Sequence, residues 1–469
     1  MGLWNTIINN LPEVAGPTQK RLGFKEKLKW TAIILVIYFV LGMMPLFGLG
    51  ENALIRFEYL SIILAAEFGS IISLGIGPIV TSSIVLQLLN GSGLVKFDLT
   101  TTEGKKTLQG TQKLLTLFFI LFEASIYVFM GGLAPAAALK GSALYTQMEL
   151  ILVFQLFLGG ILIVFMDEVV SKWGFGSGVS LFIAAGVSQS VFIQAFSWLK
   201  PTVQGVSQAE GYSIGAIPAL FQSLSSGDPT TAVIKIAALA STALVFAIAV
   251  YAQSMKVEIP LSFGRIRGHG IRWPLSFIYT SNIPVILVAA LMANIQLWGR
   301  LLQNWGHPLL GTFTSSGNPA SGFVLWISGT NIVDSIITRS FTLSEIGYSA
   351  VYLLVMMIGS VIFSIFWVQT AGMDARSQAK QMMASGLQIP GFRRDERVLE
   401  RLLERYIWPL TIMGALAVGF LAAVADLTGA LSRGTGILLT VMIVYRLYED
   451  IARQHMMDMH PMMRRFMEA

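Results

Sequence analysis

The 469-residue chain predicts an all-α polytopic membrane protein: ten transmembrane helices in two inverted five-helix halves, with a second span broken into a short first piece and a half-helix. Three observations predict it. The composition is 54% hydrophobic and only 12% charged, with a mean hydropathy of +0.68, against roughly 25% charged for an ordinary soluble domain. Apolar segments of about 20 residues, the length that crosses a hydrocarbon core about 30 Å thick, recur along the whole chain. Gly- and Pro-bearing signatures also recur five spans apart.

Residues 1–29 read as a cytoplasmic N-terminal segment without a cleavable signal peptide, because 1–16 lacks a basic start and the first apolar run begins only near Trp30. Spans 1 to 5 are expected at 30–47, 76–89, 113–133, 148–166 and 179–196, forming an N-terminal half over 30–200. Spans 6 to 10 follow at 232–253, 274–297, 346–368, 406–425 and 437–448, within a C-terminal half over 201–452, and 453–469 is a cytoplasmic tail. Cytoplasmic loops are expected at 255–273 and 370–405.

The second span is the least regular. The apolar stretch 57–89 is too long for one crossing and holds Gly75-Ile76-Gly77-Pro78 at its middle. Glycine weakens a helix and proline removes a donor, and inside a bilayer the freed polar groups survive only beside protein or a water-filled cavity. Its first part, 57–73, carries Glu58, Ser61, Glu67, Ser70 and Ser73 and would be a helix of about 25 Å. Such a short, semi-polar helix is either a stopper or a re-entrant packing element.

Orientation follows from the 32 Lys and Arg. Only Arg56, Lys140, Lys200, Lys235, Arg300, Arg339 and Arg433 fall on one side; all others fall on the side of the termini, which the positive-inside bias makes cytoplasmic. The pI of 9.4 is then in part a topology signal. The halves also match internally. Span 2 has Gly77-Pro78-Ile79-Val80 where span 7 has Asn282-Ile283-Pro284-Val285, and span 5 opens with Gly176-Ser177-Gly178 where span 10 opens with Gly434-Thr435-Gly436. Five spans per copy invert the second copy and put a functional site where the two meet. Close helix packing alone also selects small residues.

Charges within the spans are scarce. Glu123 in span 3 and Asp426 at the end of span 9 are candidates, whereas Asp167 and Glu168, beside Lys172, read as interfacial. No phosphate-binding Gly-x-x-x-x-Gly-Lys-Ser/Thr loop occurs, the four histidines are scattered, and zero cysteines exclude disulfides and thiolate metal sites. Neither an enzyme nor a metal or cofactor protein is expected.

The segments Leu74-Gly75-Ile76-Gly77-Pro78-Ile79-Val80-Thr81 and Gln87-Leu88-Leu89 resemble the SecY family, the channel subunit of the protein-conducting translocon. Phe24-Lys25-Glu26-Lys27-Leu28, Asp167-Glu168, Gly176-Ser177-Gly178, Val257-Glu258-Ile259-Pro260-Leu261, Ser281-Asn282-Ile283-Pro284-Val285-Ile286 and Gly434-Thr435-Gly436 extend the resemblance over essentially the whole chain, closest to the archaeal and eukaryotic branch. It implies an hourglass channel with a pore ring of Ile76, Val80, Phe175, Val179, Ile286 and Leu439, of which Phe175 departs from the family's usual Ile. Apolar, deformable side chains bind no ion strongly and can dewet when closed. Any one of them alone would pass for core packing.

The resemblance further implies a plug near 57–68, including Leu60, Ile63, Leu64, Glu67 and Phe68, and a lateral gate of spans 2, 3, 7 and 8 with Thr81, Ser83, Glu123 and Asn294. It implies a SecE-type subunit clamping the halves, a small beta-type subunit, signal peptides and nascent chains as cargo, and membrane lipid at the gate. The ribosome is the further partner, docked by Arg265, Arg267, Arg393 and Arg394; basic loops on this side equally satisfy the topology rule. The expected function is translocation of secretory polypeptides across the cytoplasmic (plasma) membrane and lateral insertion of membrane proteins into it, driven by a partner. An inverted-repeat secondary transporter is the alternative, and an insertase without a continuous pore a second one.

Overall fold

The structure, a computed structural model, describes residues 8, 10–19, 22–52, 66–91, 94, 95, 97, 101–200, 202, 203, 206, 207, 212–263, 270–280, 282–314, 318–384, 387, 388, 396–432 and 434–459. The first half holds α1 (Phe24–Gly42), α2 (Gly77–Gly91), α3 (Thr102–Phe129), α4 (Ala143–Trp173) and α5 (Gly178–Phe196). In chain order there follow α6 (Ala216–Ser226), α7 (Pro229–Ser254), α8 (Ile283–Asn304), α9 (Phe323–Trp326), α10 (Ile332–Ile337), α11 (Leu343–Thr370), α12 (Ala375–Ala384), α13 (Glu396–Leu427) and α14 (Gly434–Met459). The ten expected spans are α1 to α5, α7, α8, α11, α13 and α14.

Among the described residues, seven helices are long and apolar enough to cross a membrane. The other three spans fall short for visible reasons. The first turns of α1 and the last turns of α14 are charged, and α2 has only 15 residues, about 22 Å of helix. Most helices overrun the apolar runs that marked them, because a nucleated helix continues into polar turns. Thus α13 starts at Glu396 and not at 406, and its charged first turns stand clear of the apolar segment. Caps fix other starts: Thr101 Oγ1 accepts from Gly104 N at 3.1 Å, and Asp228 Oδ1 accepts from Thr230 N at 3.1 Å with Pro229 in the first turn of α7.

The break before α2 is real, but the described end of 57–73 is a run of turns and not the expected short helix. Serine chemistry explains the turns. Ser70 Oγ and Ser73 Oγ donate to Glu67 O at 2.7 and 3.2 Å, offering the backbone a local alternative to the helix ladder. Gly75 sits at φ +54°, where a side chain would be strained, and α2 begins two residues later. The freed backbone is matched by the end of α1: Ile71 N donates to Met44 O at 3.0 Å and Leu46 N to Gly69 O at 2.9 Å.

The halves meet at two seams. On one, α2 packs on α8 and α11, and Phe122 of α3 lies 5.8 Å from Trp298 of α8. On the other, α5 packs on α14, Gln454 Nε2 donates to Leu22 O at 2.9 Å, and Ser432 Oγ donates to Ser190 Oγ at 3.0 Å. One continuous apolar core runs through both halves.

The loop expected at 255–273 is instead a hairpin, which moves the start of span 7 from 274 to Ile283. Strand β5, called here by its place after the short strands β1 (Leu49–Asn52), β2 (Leu133–Pro135), β3 (Thr202–Val203) and β4 (Val206–Ser207), covers Lys256–Phe263. It pairs antiparallel with β6 (Gly270–Ser276) and with β7 (Leu387–Gln388). The two long loops are thus joined in one sheet. Ile259 and Leu275 of the sheet form a second apolar cluster with Met382, Leu399 and Leu403, which continues into Val368 of α11 and Ile407 and Leu410 of α13.

Candidate channel and lateral gate

Between the halves lies a cavity of about 500 Å³, lined by Val80 of α2, Phe175 and Val179 at the start of α5, and Ile286 of α8, together with polar groups that include Gln112, Asp167 and Asn282. The structure therefore brings four of the six expected ring residues onto one cavity. Ile76 and Leu439, each 1% exposed, lie in the continuous core and do not line it.

Phe175 is the outlier that its aromatic side chain announced. Its ring packs 5.7 Å from that of Phe24, Lys27 Nζ stands 5.7 Å above its face, and its amide donates to Thr31 Oγ1 at 3.1 Å. The ring turns toward α1 and forms the cavity wall at that end.

Three of the expected gate residues, Thr81, Glu123 and Asn294, meet across the first seam. Asn294 Nδ2 donates to Thr81 Oγ1 at 3.1 Å, and Thr81 Oγ1 donates to Glu123 Oε1 at 3.0 Å, tying α8, α2 and α3 into one chain of hydrogen bonds. One position along α2, Ser82 Oγ lies 2.6 Å from Thr116 Oγ1 of α3. Ser83 does not join the cluster. It is two residues, or about 200° of helical turn, past Thr81, so it lines the cavity and accepts from Gln87 Nε2 at 3.1 Å. Glu123 Oε2 and, one turn further, Tyr127 Oη are buried without a hydrogen-bond partner among the described residues; each such group costs about 1–3 kcal/mol. The seam is therefore held, but not saturated.

Of the expected plug, Leu60, Ile63 and Leu64 lie outside the described residues. Glu67 is exposed, and Phe68 packs 6.5 Å from the ring of Tyr127 on α3. Arg265, Arg267, Arg393 and Arg394 also lie outside the described residues, in the two loops that the sheet joins.

Two further features had no clear signal in the sequence. A strap of the N-terminal segment crosses the ends of α3 and α4: Val14 N donates to Glu168 Oε2 at 2.8 Å, Trp173 Nε1 donates to Ala15 O at 2.9 Å, and Lys113 pairs with Glu168. Lys172, by hydrogen bond and by charge, holds the Glu13 carboxyl below its ordinary pKa. That contact is present at neutral pH and is lost only as pH falls through the lowered value. On the second seam, an apolar groove of about 790 Å³ is lined by Val187, Val191 and Phe192 of α5, Leu239 and Phe246 of α7, and Val441, Val444 and Tyr448 of α14.

The family model described as SecY matches residues 70–448. The protein translocase subunit SecY of Methanothermobacter thermautotrophicus is 48% identical over 467 residues, covering 98% of this chain and 97% of that protein. Among solved structures, a SecY whose plug domain is described as stabilising the closed state of the translocation channel and maintaining a membrane seal superposes with a TM-score of 0.80 at 41% identity, covering 98% of this chain and 99% of that one. Sec61 in the canine ribosome-channel complex from the endoplasmic reticulum superposes with a TM-score of 0.78 at 40% identity over the same shares.

Proposed function

This chain belongs to the SecY family of protein-conducting translocation channels, and we propose that its conduit runs through the cavity between the halves and is sealed by Ile76, Val80, Val179, Ile286 and Leu439. The observation that carries this is a cavity at the meeting of two inverted halves onto which Val80, Val179 and Ile286 converge, with Ile76 and Leu439 in the same apolar core as Val80 and Ile286. Phe175 acts at the rim and not in the seal. The stretch 57–68 is the plug. Thr81, Glu123 and Asn294 latch the lateral gate through which signal peptides and membrane helices reach lipid.

The hairpin end faces the cytoplasm, with both termini, in the plasma membrane; the distribution of Lys and Arg supports this orientation. The apolar groove formed by α5 from one half and by α7 and α14 from the other suits a membrane helix of a SecE-type subunit, since one helix there touches both halves. A small beta-type subunit completes the complex. Reconstitution with these partners tests the function: a secretory precursor should become protease-protected, and coupled uptake of a small solute with no protection would move the protein to the transporter class.

Arg265, Arg267, Arg393 and Arg394 are assigned to ribosome docking, a reading supported by the pairing of β5 with β7, the strands that precede these arginines in sequence. Replacing Arg265→Glu and Arg393→Glu is expected to weaken ribosome binding and to lower the slope of log affinity against log salt by about 2, one for each lost phosphate contact. Both positions fall between spans in the sequence, so the double variant should keep its fold. Equal affinity of the double variant and the parent in detergent would mean that these arginines set topology alone.

A further inference from the structure

We infer that Asp167 and Asp426 are a pseudo-symmetric pair of positioning residues, each on the fourth span of its half, that set the depth of the pore residues Val179 and Leu439 on the fifth. The inference rests on the ring reading and extends it to groups that do not line the seal.

Asp167 stands near the end of α4, and its Oδ1 accepts from Val179 N at 3.0 Å, in the first turn of α5. Asp426 stands at the end of α13, and its Oδ1 accepts from Thr435 N at 2.8 Å, in the first turn of α14. The first four amides of a helix have no partner in the helix, and a carboxylate there is favoured by the dipole as well. In both halves the acceptor comes from the preceding span and not from the residue just before the helix. The fifth span is therefore pinned to the fourth. Asp426 Oδ2 also accepts from the Thr435 hydroxyl and from Tyr352 Oη of α11, so the gate side of the second half shares the pin.

The glycines at the two starts complete the device. A Cβ at Gly178 would lie 2.6 Å from Asp167 Cα, and one at Gly434 would lie 2.2 Å from Ala425 C. Only glycine lets the fifth span begin this close to the fourth. The consequence reaches the ring at once in the first half, where Val179 is itself the pinned residue. In the second half Leu439 is one helical turn beyond Thr435. An inverted repeat accounts for the same device at opposite ends of the conduit.

The chain has no native thiols, so single cysteines report position. Leu439→Cys and Ile286→Cys are each crosslinked to one cysteine in a secretory chain stalled in the reconstituted channel. Asp426→Ala should lower the crosslink at 439 about fivefold, the scale of losing one helix cap, and leave that at 286 unchanged. Asp426→Asn should restore most of it, because its amide oxygen still accepts from Thr435 N, and Gly434→Ala should mimic Asp426→Ala. In the first half, Asp167→Ala should do the same to a Val179→Cys reporter. Unchanged crosslinks at 439 and 179, or equal losses at 286, would overturn the positioning role, the second outcome making these aspartates general stability residues. If the parent reporters at 286 and 439 give no crosslink, the ring reading falls, and this inference with it.

Discussion

A disulfide between Thr81→Cys and Asn294→Cys is expected to stop translocation of a signal-bearing substrate completely when oxidised and to release it on reduction. The two native side chains meet across the seam at 3.1 Å, so thiols introduced at these two positions face one another across it. A bond there fixes α2 to α8, so the lateral exit cannot part. The reduced double variant should behave in the opposite sense. It lacks both the Asn294 donor and the Thr81 hydroxyl, and each interhelical hydrogen bond in a membrane is worth about 0.6–1.7 kcal/mol, so the closed state loses ground and weaker signals should be accepted. Asn294→Leu alone should shift the signal requirement in the same direction by a smaller amount. Full translocation with the bond formed would place the exit elsewhere. A cysteine pair at Ser83 and Asn294 is the wrong pair, because Ser83 faces the cavity.

That distinction marks the boundary between what the sequence carried and what only the packing shows. The broken second span was legible, because Gly75 and Pro78 interrupt an apolar run in a way no continuous helix tolerates. So was the Thr81, Glu123 and Asn294 cluster, as polar residues among apolar neighbours matched to a family motif. The facing of Ser83 was overlooked, although its two-residue offset from Thr81 on one helix already turns it about 200° away from the cluster. The hairpin at β5 and β6 left a trace that was read only as loop: Val257 and Ile259 alternate with polar residues, as do Trp273 and Leu275, with the period of two that a half-buried strand requires. Prolines 260 and 274 obscured it. Asp167 read as an interfacial charge and Asp426 as a membrane charge, yet both serve as distant helix caps. Nothing in one sequence says that a carboxylate 12 or 9 residues upstream will meet a helix start; that contact is made by the crossing of two spans.

Replacing Ile76→Gly and Val80→Gly together is expected to make the resting channel leak ions. Both side chains are almost wholly buried, and Val80 also borders the cavity of about 500 Å³. On the proposed ring, truncating them removes aliphatic mass that seals the conduit beside that cavity. The opened space is continuous with a cavity that carries Gln112, Asp167 and Asn282, and polar walls of this kind hold water. A wetted path replaces a dry one, and each 1.4 kcal/mol taken from the ion barrier raises the leak about tenfold. The helix itself should survive, since Ile76 precedes α2 and Val80 lies in its first turn. Volume-conserving changes such as Ile76→Leu should keep the seal. Phe175→Gly should also keep it, because that ring packs on Phe24 and Lys27 at the rim. Planar-bilayer recordings separate the cases: leak from the Ile76 and Val80 variant with silence from Phe175→Gly confines the seal to the aliphatic positions, whereas unchanged conductance in the double variant would falsify the ring.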